Sequence, residues 1–195
     1  MVNDVRGVAL IDAVCAIAVC LIMGAIAVPV IGGTLDRERV MVGARYLAGQ
    51  VQRARLEALR RGASVAVRVD IVSERATTRL FADGNGNGVL QRDIDRGVDV
   101  ALTGVDWLGD HAQDVSLRIN QEVPDIDGNG SLAAGSDPLR IGNSALLTFS
   151  PLGSSTSGSL YVSATTGPQF AIRVYGATGR VRVLMFDAQA RQWQP

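Results

Sequence analysis

Three stretches of this chain carry residue types at spacings that could do chemistry. Two of them resemble each other: Asp83-Gly84-Asn85-Gly86-Asn87-Gly88 and Asp125-Ile126-Asp127-Gly128-Asn129-Gly130. Side-chain oxygens at alternate positions followed by glycine form the first half of a calcium loop, because a tight turn can aim them at one hard cation. The second half is lacking in both. Position twelve is Ile94 in one and Ser136 in the other, although Asp93, Asp95 and Asp137 lie one residue away. Two readings therefore stand: a calcium site using Asp83, Asn85, Asn87, Asp125, Asp127 and Asn129, or a pair of Asn-Gly turns.

The third stretch is Gly179-Arg180-Val181-Arg182. Alternation along a strand puts Arg180 and Arg182 on one face, where two guanidiniums can meet successive phosphates. Arg173 and Arg191 would extend that patch, and a solvated strand face is the competing reading. Enzymatic chemistry has little to stand on. His111 is the lone histidine, and there is no Walker loop, Gly-x-Ser-x-Gly elbow, His-Glu-x-x-His or Cys/His metal set. The paired acids sit in Gly/Asn turns rather than on rigid elements that would fix their separation.

The elements that must position these groups follow from composition and periodicity. The chain has 195 residues, 19 basic and 19 acidic, and every basic residue is Arg. A net charge of zero with 47% apolar residues excludes a disordered charged tail and binding to nucleic acid through global charge. The zero conceals segregation: residues 1–35 carry −1, 36–68 carry +5, 69–139 carry −8 and 140–195 carry +4.

Between Val8 and Gly33 the sole charge is Asp12. As a helix, the run from Val8 to Ile31 would be roughly 36 Å long, enough for a bilayer core of about 30 Å, so the expectation is a membrane-spanning segment. A carboxylate inside such a segment is costly and points to function. Pro29 sits near the end of the run, where it would kink a continuing helix. Cys15 and Cys20, five apart on a helix, point in different directions and read as small packing residues.

At these residues the chain resembles the type IV pilin and pseudopilin superfamily. Its signature is a short basic leader ending in Gly, then an apolar helix with an acid fifth and often Pro twenty-second. Gly7-Val8-Ala9-Leu10-Ile11-Asp12 and Pro29 match it counting from Val8, with Val8 standing for the usual Phe and Asp12 for the usual Glu. The resemblance implies cleavage by prepilin peptidase between Gly7 and Val8, N-methylation of Val8, and pairing of Asp12 with the amino terminus of a neighbouring subunit. It implies a single-pass protein of the bacterial inner membrane with a periplasmic domain, entering a type II secretion pseudopilus or a type IV pilus. Its partners would be other pilins or pseudopilins and the inner-membrane assembly platform. The helical stretch Ala44-Arg45-Tyr46-Leu47 to Ala58, followed directly by a strand, is similar to the GspH/FimT branch. In the FimT members a C-terminal Gly-Arg-x-Arg element is associated with DNA capture, so DNA is an implied partner beside secreted cargo. Calcium pseudopilins also occur in the superfamily.

A competing reading rests on Ala25-Ile26-Ala27, which has the form of a signal peptidase site; cleavage after Ala27 would release a β-rich binding domain. Asp12 and the length of the apolar run argue against it.

After Gly33 the period becomes helical: Val40, Ala44, Leu47, Val51, Ala54 and Ala58 recur at three and four, up to a stop at Gly62. Beyond it the period is two. Strands are expected over 63–69, 76–82, 98–103, 115–121, 145–150, 159–164, 170–175 and 180–186, with a tight turn at Ala177-Thr178-Gly179 and a mobile loop over 153–158. The expected fold is α+β and pilin-like. It has a leader over 1–7, a membrane and polymerisation helix over 8–33, and a domain over 34–195 whose amphipathic helix lies on an antiparallel sheet.

Overall fold

The structure, a computed structural model, describes residues 5–195 apart from 74, 129 and 143, and its description omits the side chains of 5–9, 24 and 26–34. Two compact units divide the chain, residues 1–36 and 37–195. Helix α1 is Val5–Arg61. In the first unit its large apolar residues, from Leu10 to Met23, are each more than half exposed.

The expected architecture and location need correction here. Among the described residues no helix is long and apolar enough to cross a membrane. The apolar residues from Leu10 to Met23 also hold the carboxylate of Asp12, which is costly in a bilayer. A pilin-like α+β fold with a membrane-spanning helix half, and a single pass in the inner membrane, are therefore not what the structure has.

The second unit is rich in antiparallel sheet. Helical residues 37–61 bury the stripe Val40, Ala44, Leu47, Ala48, Val51, Ala54 and Ala58. Against it lie the inward residues of two sheets, and alternation is what selects them. The first sheet has β1 (Val65–Val72), β2 (Arg75–Ala82), β3 (Val100–Ala101), β4 (Asp106–Trp107) and β9 (Leu146–Phe149). Its order is β3-β2-β1-β9, with β4 also on β2. The second has β5 (Val115–Leu117), β8 (Leu139–Arg140), β10 (Gly158–Ala164), β11 (Phe170–Tyr175), β12 (Arg180–Asp187) and β13 (Gln192–Gln194). Its order is β13-β12-β11-β10-β5, with β8 also on β10. Val65, Val67, Val69, Leu147 and Phe149 of the first sheet share one core with Leu160, Val162, Ile172 and Val174 of the second.

Each sheet is covered on its other face too. Ala66, Phe81 and Leu146 meet Val89 and Ile94 from the segment holding α2 (Gln91–Asp95). Tyr161, Ala171 and Phe186 meet Ile119, Val123, Leu132 and Trp193, and β6 (Val123–Pro124) pairs with β7 (Ser131–Leu132) there. That is why every residue of β10 is buried. The Tyr161 hydroxyl and the Trp193 indole both find partners there: the Ile126 N–H donates to Tyr161 Oη at 3.1 Å, and Trp193 Nε1 donates to the Pro124 carbonyl at 2.9 Å.

The expected runs at 76–82, 159–164, 170–175 and 180–186 coincide with β2, β10, β11 and β12, whereas the run at 98–103 shrinks to the two residues of β3. The expected mobile loop over 153–158 is instead tied down. Ser155 N–H donates to the Gly176 carbonyl at 2.7 Å and Thr156 N–H to the Thr148 carbonyl at 2.8 Å.

Candidate functional site

The Asp/Asn/Gly segments use their oxygens to close turns. Asp83 accepts from the backbone N–H groups of Asn85 at 3.1 Å, Gly86 at 2.7 Å and Gly88 at 2.7 Å. Asn85 accepts from Asn87 N–H, and the Asn87 amide donates to Asp93 at 3.0 Å. That amide outweighs the effect of burial and holds the Asp93 carboxyl below its ordinary range. Buried Asp99 accepts from Gly84 and Leu90. These are Asx turns, in which a side chain stands in for a backbone acceptor.

In the second segment Asp125 accepts from Asp127 N–H at 2.9 Å and from Arg140 at 3.3 Å, while Asp127 pairs with Arg173. Asn129 lies outside the described residues. Among the described residues no group of three or more His, Cys, Asp or Glu comes together to hold a metal.

The arginines sort into engaged and free. Register across the second sheet places Arg140 opposite Ser159, Ser159 opposite Arg173, and Arg173 opposite Arg182. Residues directly opposite share a face, so this is a cationic row, with Tyr175 and its partner Arg180 on the same face. Asp125 and Asp127 neutralise Arg140 and Arg173, and Glu122 lies 3.7 Å from Arg191. Among the described residues Arg180 and Arg182 have no ion-pair partner. The sequence-expected patch thus contracts to these two.

A third guanidinium joins them. A cavity of about 600 Å³ is lined by Arg55, Tyr175, Ala177, Thr178, Arg180 and Arg182. Arg55 comes from α1, and its Nε is buried without a hydrogen-bond partner among the described residues. The tight turn between β11 and β12 makes room for it. Gly179 has φ +58, and a Cβ there would lie 2.7 Å from the Gly153 carbonyl and 3.3 Å from Arg55 Nε. Sequence reasoning did not single out Arg55. The available signal was its place at the margin of the apolar stripe, four residues after Val51 and three before Ala58.

A second polar cluster joins residues far apart in the chain. Asp106 on β4 accepts from Tyr46 Oη and, at 2.9 Å, from His111 Nε2, and the His111 and Tyr46 rings stack with centroids 3.9 Å apart. His111 ends α3 (Leu108–His111). Gln50 donates to Tyr46 Oη at 3.0 Å. Burial, then the bond to Asp106, push the Tyr46 phenol up to about 12. Burial would raise the Asp106 carboxyl, but the hydrogen bonds from Tyr46 and His111 outweigh it and hold it below its ordinary range. The cluster fastens helix to sheet.

Asp12 is an exposed residue of α1. The side chains of Gly7, Val8 and Pro29 lie outside the described residues.

No family model, no curated protein and no solved structure matches this chain.

The Tyr46–Asp106 bond makes stability pH-dependent at both ends. A depressed carboxyl stabilises above its unfolded value of about 3.9 and loses that contribution as pH falls through its folded value. A raised phenol stabilises below about pH 10 and loses its contribution as pH rises towards 12. Stability against urea should therefore fall below about pH 4 and above about pH 10. Asp106→Asn should cost about 1–3 kcal/mol at pH 7 and flatten the acid limb, and Tyr46→Phe should flatten the alkaline one.

Proposed function

We propose that the chain is a minor pseudopilin or minor pilin that enters a filament through the first part of α1. The observation that carries this reading is the exposure of Leu10, Ile11, Val14, Ile17, Val19, Leu21, Ile22 and Met23. They occupy all sides of the helix, and a helix apolar all round must be covered. Similar helices of neighbouring subunits would cover it. Asp12 gives the register: in an apolar surround an exposed carboxylate is costly unless paired, and the free amine of a neighbour's Val8, made by cleavage after Gly7, is the group the resemblance supplies. The partners are then prepilin peptidase, other pilins or pseudopilins, an assembly platform, and secreted cargo.

A second reading, a FimT-like subunit that binds DNA, is favoured by a different observation. Among the described residues Arg180 and Arg182 stay without an acidic partner while Arg140, Arg173 and Arg191 are engaged. Two or three phosphate contacts bind weakly at physiological salt, and a filament would raise avidity.

In sheared filaments, Asp12→Ala should be depleted at least about tenfold, and the mature wild type should begin at Val8 by mass spectrometry. Unchanged incorporation, or a mature terminus at Val28, would overturn the filament reading. For the second reading, Arg180→Ala/Arg182→Ala should weaken oligonucleotide binding by the full chain and lower its salt dependence. Binding that is absent, or insensitive to salt, would sink it.

A further inference from the structure

The cavity between α1 and the β11–β12 turn holds more than the two strand arginines. Arg55 brings a guanidinium whose Nε is buried and without a partner among the described residues. Leaving a charged donor buried and unpaired is expensive, and native proteins rarely do so without a reason. The neighbouring helix residues Ala54 and Ala58 are fully buried, so the start of the Arg55 side chain is fixed by core packing. The six residues lining the cavity include three arginines, one hydroxyl from Thr178, one aromatic ring and no acid. A planar guanidinium matches the two free oxygens of a phosphate group, and three of them lining one space suit the successive phosphodiesters of one strand.

Size and the aromatic ring refine the ligand. About 600 Å³ exceeds a single phosphate and suits a nucleotide unit. Tyr175 lines the same space and is 38% exposed. Arg173 braces its ring, with the guanidinium 5.5 Å from the ring centroid and itself held by Asp127 and by Ser159 Oγ. A braced, part-exposed aromatic beside cationic groups is the arrangement that stacks an unpaired base while phosphates track the arginines. A duplex keeps its bases stacked on each other and offers none to such a ring.

We infer that this cavity is a subsite for single-stranded nucleic acid, with half-buried Arg55 as a phosphate ligand and Tyr175 as its base platform. The inference rests on the nucleic-acid reading above and adds to it the strand state and two residues.

The test uses the full chain with a fluorescein-labelled oligothymidylate of about 12 nucleotides and a duplex of equal length, titrated at several salt concentrations. The single strand should bind at least about tenfold more tightly than the duplex. Arg55→Gln should weaken single-strand binding about tenfold and reduce the salt slope by about 0.7, the loss of one phosphate contact. Arg55→Lys should fall in between, keeping the charge without the fork. Tyr175→Leu should weaken binding about tenfold with the salt slope unchanged, and Tyr175→Phe should restore it. Tyr175 is at the sheet surface, so it decides the matter even if Arg55→Gln does not fold. Wild-type affinity in Arg55→Gln and Tyr175→Leu, or equal affinity for duplex, overturns the inference. If Arg180→Ala/Arg182→Ala still weakens binding in that case, the nucleic-acid reading survives alone. Absence of binding to either oligomer ends both.

Discussion

The apolar stripe of α1 from Val40 to Ala58 is buried against the inward residues of two antiparallel sheets, and the rest of the second unit takes its geometry from that contact. Alanine at 44, 54 and 58 keeps the helix surface low, so that β1 and β9 on one side and β10 and β11 on the other approach it closely. Fixing the stripe fixes the residues at its margins. Tyr46 is held within reach of Asp106 and His111, and Arg55 is carried under the turn at Gly179. Two polar features of the domain thus depend on one apolar contact, against which Tyr46 itself packs.

Charge is then distributed by what the loops can reach. Four carboxylates of the acidic middle are used internally, Asp83 and Asp99 on backbone donors and Asp125 and Asp127 on the arginine row of the second sheet. Among the described residues of this row, neutralising Arg140 and Arg173 while sparing Arg180 and Arg182 leaves free positive charge at the end of the sheet near the β11–β12 turn. A chain of zero net charge can in this way carry a local cationic site without attracting anions over its whole surface.

Much of this was legible in the sequence where the pattern is long. Eight alternating residues make β12 readable, and a stripe at spacings of three and four makes Val40 to Ala58 readable, because each period maps onto one face. The two- and three-residue strands β4, β6, β7, β8 and β13 carry too little pattern to be read, and tertiary pairing alone creates them. Tyr46 and Asp106 are 60 residues apart, and nothing local links them. Arg180 and Arg182 could be placed on one face from alternation, but the engagement of Arg173 by Asp127 depends on where a distant loop falls. The membrane-spanning helix inferred from apolar length is the expectation that the described residues correct.

On the filament reading, the exposed apolar residues of α1 are covered by a like helix of another subunit. A photo-crosslinking residue in place of Ile17, irradiated in intact cells, tests this directly. The expected adduct has a crosslinked peptide, identified by mass spectrometry, in an N-terminal apolar helix bearing the same glycine, fifth-position acid and proline pattern, in a second copy or another filament subunit. Only uncrosslinked chain, or adducts mapped to proteins without such a helix, would contradict it.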